Sequence, residues 1–108
     1  MSSYLLIESR DPYESADTTH IGELAVNLKQ AGNDVSVLLI NNGVLPARRD
    51  SRDERLDSLL QGNINVLADD FSLRERAIDR GGLKQGIEPV AIDFVIDRLI
   101  DGAKVIWH

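Results

Sequence analysis

Val35-Ser36-Val37-Leu38-Leu39-Ile40 is a near-continuous run of apolar and β-branched residues, stopped at once by Asn41-Asn42-Gly43. A strand wetted on one side alternates apolar and polar residues; a run without that alternation suits a strand covered on both faces, as in parallel sheets. Upstream, Ile21, Leu24, Ala25 and Leu28 fall at i, i+3, i+4 and i+7 between Thr18 and Gln30, which is one face of a helix. Asp17 or Thr18 is placed to cap its start, and Gly32 supplies a residue tolerant of positive φ just past its end. Tyr4-Leu5-Leu6-Ile7 comes before it as a short buried strand.

Downstream, Ser51-Arg52-Asp53-Glu54 has the form of a capping box, opening a helix with Leu56, Leu59 and Leu60 as its apolar stripe and Gly62 as its end. Ile64 to Ala68 reads as a third strand. Ser72-Leu73-Arg74-Glu75 is a second capping box, opening a short helix that Gly81-Gly82 terminates. Pro89-Val90-Ala91-Ile92 reads as a short fourth strand, and Ala103 to Trp107 as a fifth. Between them Ile92, Val95, Ile96 and Leu99 form another helical stripe, ended by Gly102.

The order is βαβαβαβαβ. Parallel strands need crossovers of about a dozen residues, and right-handed crossovers put helices on both faces of the sheet. The expected fold is therefore α/β: a three-layer αβα sandwich with a five-stranded, mainly parallel sheet of the flavodoxin or Rossmann kind. A chain of 108 residues suits one domain, spanning 1–108, with one core.

Composition narrows the chemistry. The sequence has no cysteine, so no thiol of its own takes part in any reaction. With 18 acidic residues against 12 basic ones the formal net charge is −6, which argues against direct nucleic-acid binding. Arg48, Arg49, Arg52 and Arg55 do gather, but Asp50, Asp53 and Glu54 interleave with them, and a solvated helix entrance is the reading favoured. No apolar run approaches the roughly 18 residues that span a membrane. No signal peptide is evident, so the expected location is cytoplasmic.

Ligands of open α/β sheets bind beyond the carboxyl ends of the strands. The loops there run from Ser9 to Tyr13, from Asn41 to Val44 and from Asp69 to Ser72, with the chain leaving Ile92. Ser9, Arg10, Asp11, Tyr13, Asn41, Asn42, Gly43, Asp69, Asp70 and Arg76 are the candidate pocket or docking residues. Asp11-Pro12 reads equally as a turn. There is no dinucleotide or phosphate-loop fingerprint and no nucleophile elbow. His20 and His108 lack a spaced partner, so no metal site and no catalytic residue is expected, and no cofactor. Asp69-Asp70 with Lys104 resembles phosphoacceptor receiver domains, but the first strand runs into Glu8-Ser9-Arg10-Asp11 rather than paired acids. The plainer alternative is that Asp70 or Ser72 caps the next helix.

Three stretches together resemble the DsrE/DsrF/DsrH-like sulfur-relay family, closest to its DsrH/TusB branch. They are Val37-Leu38-Leu39-Ile40-Asn41-Asn42-Gly43-Val44, the segment Ile64 to Arg76, and Ile87 to Val95 with the ending Lys104-Val105-Ile106-Trp107. The family's third-strand helix usually carries Arg-Gly; here Arg76 is followed by Ala77. The resemblance implies a compact α/β subunit that self-associates as dimer, trimer or hexamer. It also implies cysteine-bearing DsrE- or DsrF-like partners in intracellular sulfur transfer such as tRNA thiolation. Catalytic members hold a persulfide on a cysteine after the third strand; here that loop is Ala68-Asp69-Asp70-Phe71-Ser72. Neither Asp nor Ser replaces that thiolate chemistry. The expectation is a non-catalytic structural or docking subunit rather than an enzyme. Two alternatives stay open: a small-anion or nucleotide binding module lined by Ser9–Tyr13 and Asn41–Val44, and a receiver-like phosphoacceptor at Asp69 or Asp70. Trp107 near the end of the chain hints at a subunit contact.

Overall fold

The computed structural model describes residues 2–108. Five strands, β1 (Ser3–Glu8), β2 (Asp34–Leu39), β3 (Asn65–Asp69), β4 (Glu88–Val90) and β5 (Lys104–Trp107), form one sheet in the order β4-β3-β2-β1-β5. Every pairing is parallel. Four α-helices connect them: α1 (Thr18–Gln30), α2 (Glu54–Gln61), α3 (Asp70–Glu75) and α4 (Asp93–Ile100). The α/β fold class read from the sequence is the one observed.

The chain walks from β1 to β4 in one direction and then crosses back to set β5 on the other side of β1. Right-handed crossovers therefore put α1, α2 and α3 on one face and α4 alone on the other. The side chains agree. Leu6, Val37, Leu39, Val66 and Ala68 pack with Ile21, Ala25, Leu56, Leu59 and Leu73. On the opposite face Leu5, Ile7, Leu38, Ile40 and Leu67 form a smaller cluster, met by Phe94 and Val95 of α4.

All four α-helices end in the same way. The amide two residues past the cap reaches back to the carbonyl of the third-last helical residue: Asn33 to Leu28 (3.1 Å), Ile64 to Leu59 (3.0 Å), Ile78 to Leu73 (2.9 Å) and Ala103 to Arg98 (3.0 Å). This Schellman closure requires left-handed backbone at the residue between. That residue is Gly32 (φ 91), Asn63 (φ 59), Ala77 (φ 55) and Gly102 (φ 88). The glycine expected to end α2, Gly62, is its cap, and Asn63 makes the left-handed turn.

Several local expectations are corrected. Neither serine capping box forms. Asp53 caps α2 by accepting from the Leu56 amide, while the Ser51 amide is taken up in a turn on the Arg48 carbonyl (2.9 Å) that Gly82 and Lys84 hold through the Arg49 amide and the Ser51 carbonyl. Asp69 caps α3, which stops at Glu75 rather than running to Gly81-Gly82; a separate 3-10 turn covers Arg80–Gly82. A 3-10 helix, Asn41–Ala47, follows β2 where only a stop was expected. On α4 the expected core stripe largely faces outward: Ile92, Ile96 and Leu99 are exposed, with Ile100 beside them, and only Val95 of the predicted set turns toward the sheet.

Candidate functional site

The carboxyl end of the sheet gathers three groups of polar residues, and the strand ends explain each. Alternation along β1 sends Leu5 and Ile7 to the α4 face, and Leu6 and Glu8 to the opposite one. Glu8 is thereby driven under α1 and α2 and is wholly buried. A buried carboxylate costs several kcal/mol unless partners replace its water. Its partners come from three directions. Nδ1 of His108, beyond β5, lies 2.9 and 3.1 Å from its two oxygens. Nη1 of Arg55 on α2 lies 3.7 Å away, and the Arg10 amide donates to Oε2 at 3.2 Å.

Arg55 is itself held in place. It donates to the Thr18 carbonyl at the start of α1 (3.2 Å) and to Asp53 (3.3 Å). Its stem crosses α1 at Gly22, where a Cβ would stand 2.6 Å from Arg55 Cγ. The imidazole of His108 is pinned at Nδ1, since between a carboxylate and an imidazole only the nitrogen can donate. Ser9 completes the seam, its amide and hydroxyl both donating to the His108 carbonyl (3.0 and 2.9 Å). This seam fills the position between β1 and β5 where the sheet's connection order reverses, the usual ligand crevice of such folds. The sequence reading took Ser9 and Arg10 but missed Glu8, Arg55 and His108. A charged residue directly after three apolar ones in a buried strand was the available signal.

The second group lies at the ends of β2 and β3. Asp69 accepts from both the amide (3.0 Å) and the hydroxyl (2.6 Å) of Ser72. The same hydroxyl accepts from the Asn41 amide at 2.9 Å. Arg76 donates to the Ser72 carbonyl (3.2 Å) and to Asn42 (3.0 Å). Asn41, Asn42, Asp69 and Arg76 are thus brought together through Ser72 in one hydrogen-bonded network. Gly43 is fixed by sterics: a Cβ there would lie 2.2 Å from the Glu8 carbonyl oxygen. Asp70 is apart from them, half-exposed and paired with Arg74 at 3.5 Å. Among the described residues no three His, Cys, Asp or Glu side chains converge as metal ligands.

The third group is an open cleft of about 540 Å³ between the β1–α1 loop and the segment entering α2, lined by Asp11, Tyr13, Thr19, Arg48, Ser51 and Arg52 among others. Asp11 and Tyr13 belong here. The Asn41–Val44 loop, expected to line the same pocket, does not, and its Gly43 and Val44 are buried. His20 is exposed.

No family model matches the chain, and no curated protein matches it. Solved structures do. The ychN protein from E. coli superposes with a TM-score of 0.88 over 100% of both chains at 19% identity. MTH1491 from Methanobacterium thermoautotrophicum, a protein of unknown function, gives 0.84 at 20% identity, covering 99% of this chain and 98% of that one. BT1422 from Bacteroides thetaiotaomicron, a conserved protein of unknown function, gives 0.72 at 19% identity over 98% and 95%. At such identities the likeness shows a shared fold across the whole chain.

Proposed function

We propose that this chain is a non-catalytic subunit of a sulfur-relay-type assembly, serving as a structural or docking component. The observation that carries the reading is the loop after β3. Where the resemblance places a sulfur-carrying cysteine, Asp69 is buried and bound by Ser72 as the cap of α3, with no thiol in the sequence. Sulfur transfer needs a thiolate to take up and release the sulfane atom. A capping carboxylate holds the loop's shape but offers no such atom.

Docking has its own support. Ile92, Ile96, Leu99 and Ile100 of α4 and Trp107 of β5 are exposed on the face that α4 alone covers. Five large apolar side chains left in water lose the burial that would stabilise them by about 1.5–3 kcal/mol each. β5 is also an edge strand, open to pairing. A second copy of this chain is the occupant this reading commits to, with cysteine-bearing relay proteins bound to the resulting oligomer.

Two measurements test it. Light scattering on the purified chain is expected to show an oligomer, which Ile96→Asp with Trp107→Asp converts to a folded monomer by circular dichroism. Co-expression with DsrE- and DsrF-like proteins is expected to yield a stable complex. A chain that ignores every such protein overturns the relay reading, and a wild-type monomer overturns the interface.

A further inference from the structure

We infer that the cleft between the β1–α1 loop and the segment 48–55 binds a mononucleotide, its phosphate on Arg48 and Arg52 and its base against Tyr13. This site lies apart from the α4 face and does not depend on the relay reading.

The charges are the first ground. The chain carries a net −6, yet Arg48 and Arg52 have no carboxylate within 4.0 Å among the described residues, while Arg55 beside them is paired with Glu8 and Asp53. Arg48 is also oriented: its Nε donates to the Leu45 carbonyl at 2.9 Å, which leaves the two terminal nitrogens for an outside acceptor. Two such nitrogens match the spacing of phosphate oxygens. The acids of the cleft are engaged elsewhere, except at the rim. Asp53 accepts from the Leu56 amide and from Arg55, and Asp11 accepts from the Tyr13 amide. Glu54 is the rim acid left without a partner in the cleft.

The aromatic is the second ground. Tyr13 is 96% exposed, on a turn fixed by Asp11 and Glu14, whose side chains accept from the amides of Tyr13 (2.9 Å) and Asp11 (2.8 Å). A ring presented bare on a rigid turn contributes nothing to the core, and it is a ready stacking surface. Pro12, Leu45 and Pro46 give the cleft its apolar part. The volume suits a ligand of nucleotide size, since small-molecule sites run from roughly 300 to 1,000 Å³. Its place beyond the ends of β1 and β2 is where open α/β sheets bind ligands. A polynucleotide fits less well, because tracking a backbone needs a longer basic groove than this acidic chain provides.

Titration calorimetry of the full chain with the four ribonucleoside monophosphates, their nucleosides and inorganic phosphate tests the assignment. At least one monophosphate is expected to bind, about tenfold or more tighter than its nucleoside or phosphate alone. Arg48→Ala and Arg52→Ala are expected to weaken that monophosphate about tenfold each without changing nucleoside binding. Tyr13→Ala is expected to weaken nucleotide and nucleoside alike, and Glu54→Gln to tighten the nucleotide. All four side chains are exposed, so the variants fold, which circular dichroism verifies. Failure of all four monophosphates to bind overturns the inference. So does phosphate binding as tightly as the nucleotide, a short oligonucleotide binding more tightly than the monomer, or a double arginine variant that binds as wild type.

Discussion

The ends of β1 and β3 each bury a carboxylate, Glu8 fully and Asp69 nearly so, and the two are satisfied in opposite ways. Asp69 is served by Ser72, three residues along, as part of starting a helix. Glu8 draws its cation from α2 and its imidazole from 100 positions away, beyond the last strand. One is a local device that any strand-to-helix turn can supply. The other exists only after four crossovers have been made, and it ties β1, β5 and α2 to each other. The difference teaches where stability is concentrated: in the group whose partners are tertiary.

The largest expected effect follows from removing the tertiary one. Glu8→Ala leaves Arg55 facing its orphaned position and His108 without an acceptor, and breaking a buried ion pair costs about 3–5 kcal/mol. In a domain whose total stability is about 5–15 kcal/mol, urea unfolding should show that loss as a much lower midpoint. Gly43→Ala attacks the same strand end by sterics. The new Cβ would meet the Glu8 carbonyl at 2.2 Å, backbone against backbone, with no flexible group to yield. About 3 kcal/mol is expected, at the upper part of the range for overpacking. A Gly43→Ala variant of wild-type stability would show that the 3-10 helix moves off β1 freely.

At β3 the matching substitution, Asp69→Ala, removes one helix cap and leaves the Ser72 amide unpaired, for about 1–2 kcal/mol. The isosteric pair sharpens the contrast. Asn caps almost as well as Asp, so Asp69→Asn should cost only a few tenths of a kcal/mol. Glu8→Gln keeps the shape but discards the charge that Arg55 and His108 answer, and should cost several times more. Equal losses for the two would mean that Glu8 contributes as a neutral hydrogen-bonding group.

The same division separates what the sequence disclosed from what it withheld. The element order, the parallel sheet and the bounds of α1 at Thr18–Gln30 follow from hydrophobic period and run length, which are local. Capping boxes are local too, yet both are displaced: before α2 the Ser51 amide closes a turn on the Arg48 carbonyl and Asp53 takes the cap, and at α3 Ser72 is inside the helix, donating to the cap Asp69. The α4 stripe was visible as a stripe. Periodicity alone does not say whether its partner is the chain's own sheet or another molecule, and Ile92, Ile96 and Leu99 face away from the sheet. Near the sheet's carboxyl end, Asn41, Asn42 and Asp69 are legible as residues flanking strand ends and Arg76 through the family resemblance, and hydrogen bonds join the four through Ser72. Glu8, Arg55 and His108 escaped because no spacing relates three residues that meet only through the sheet's order.

The one expected gain in stability concerns the helix end whose residue disagrees with its backbone. Ala77 sits at φ 55, the left-handed position of the Schellman closure of α3, with Ala77 donating to Arg74 (3.2 Å) and Ile78 to Leu73 (2.9 Å). The corresponding residue at the other three α-helices is Gly or Asn, which enter that region readily. Alanine pays about 1 kcal/mol or more to stand there through contact of its Cβ with the neighbouring carbonyl. Glycine relieves that strain but widens the unfolded ensemble, which takes back part of the gain. Ala77→Gly is therefore expected to stabilise by about 0.5–1 kcal/mol, a rise of several degrees in Tm for a domain of this size. The gain should be the same in an Asp69→Asn background, since cap and closure act at opposite ends of α3. Coupling between them would mean that this short helix melts as one unit, and that the β3 end is less local than its hydrogen bonds make it.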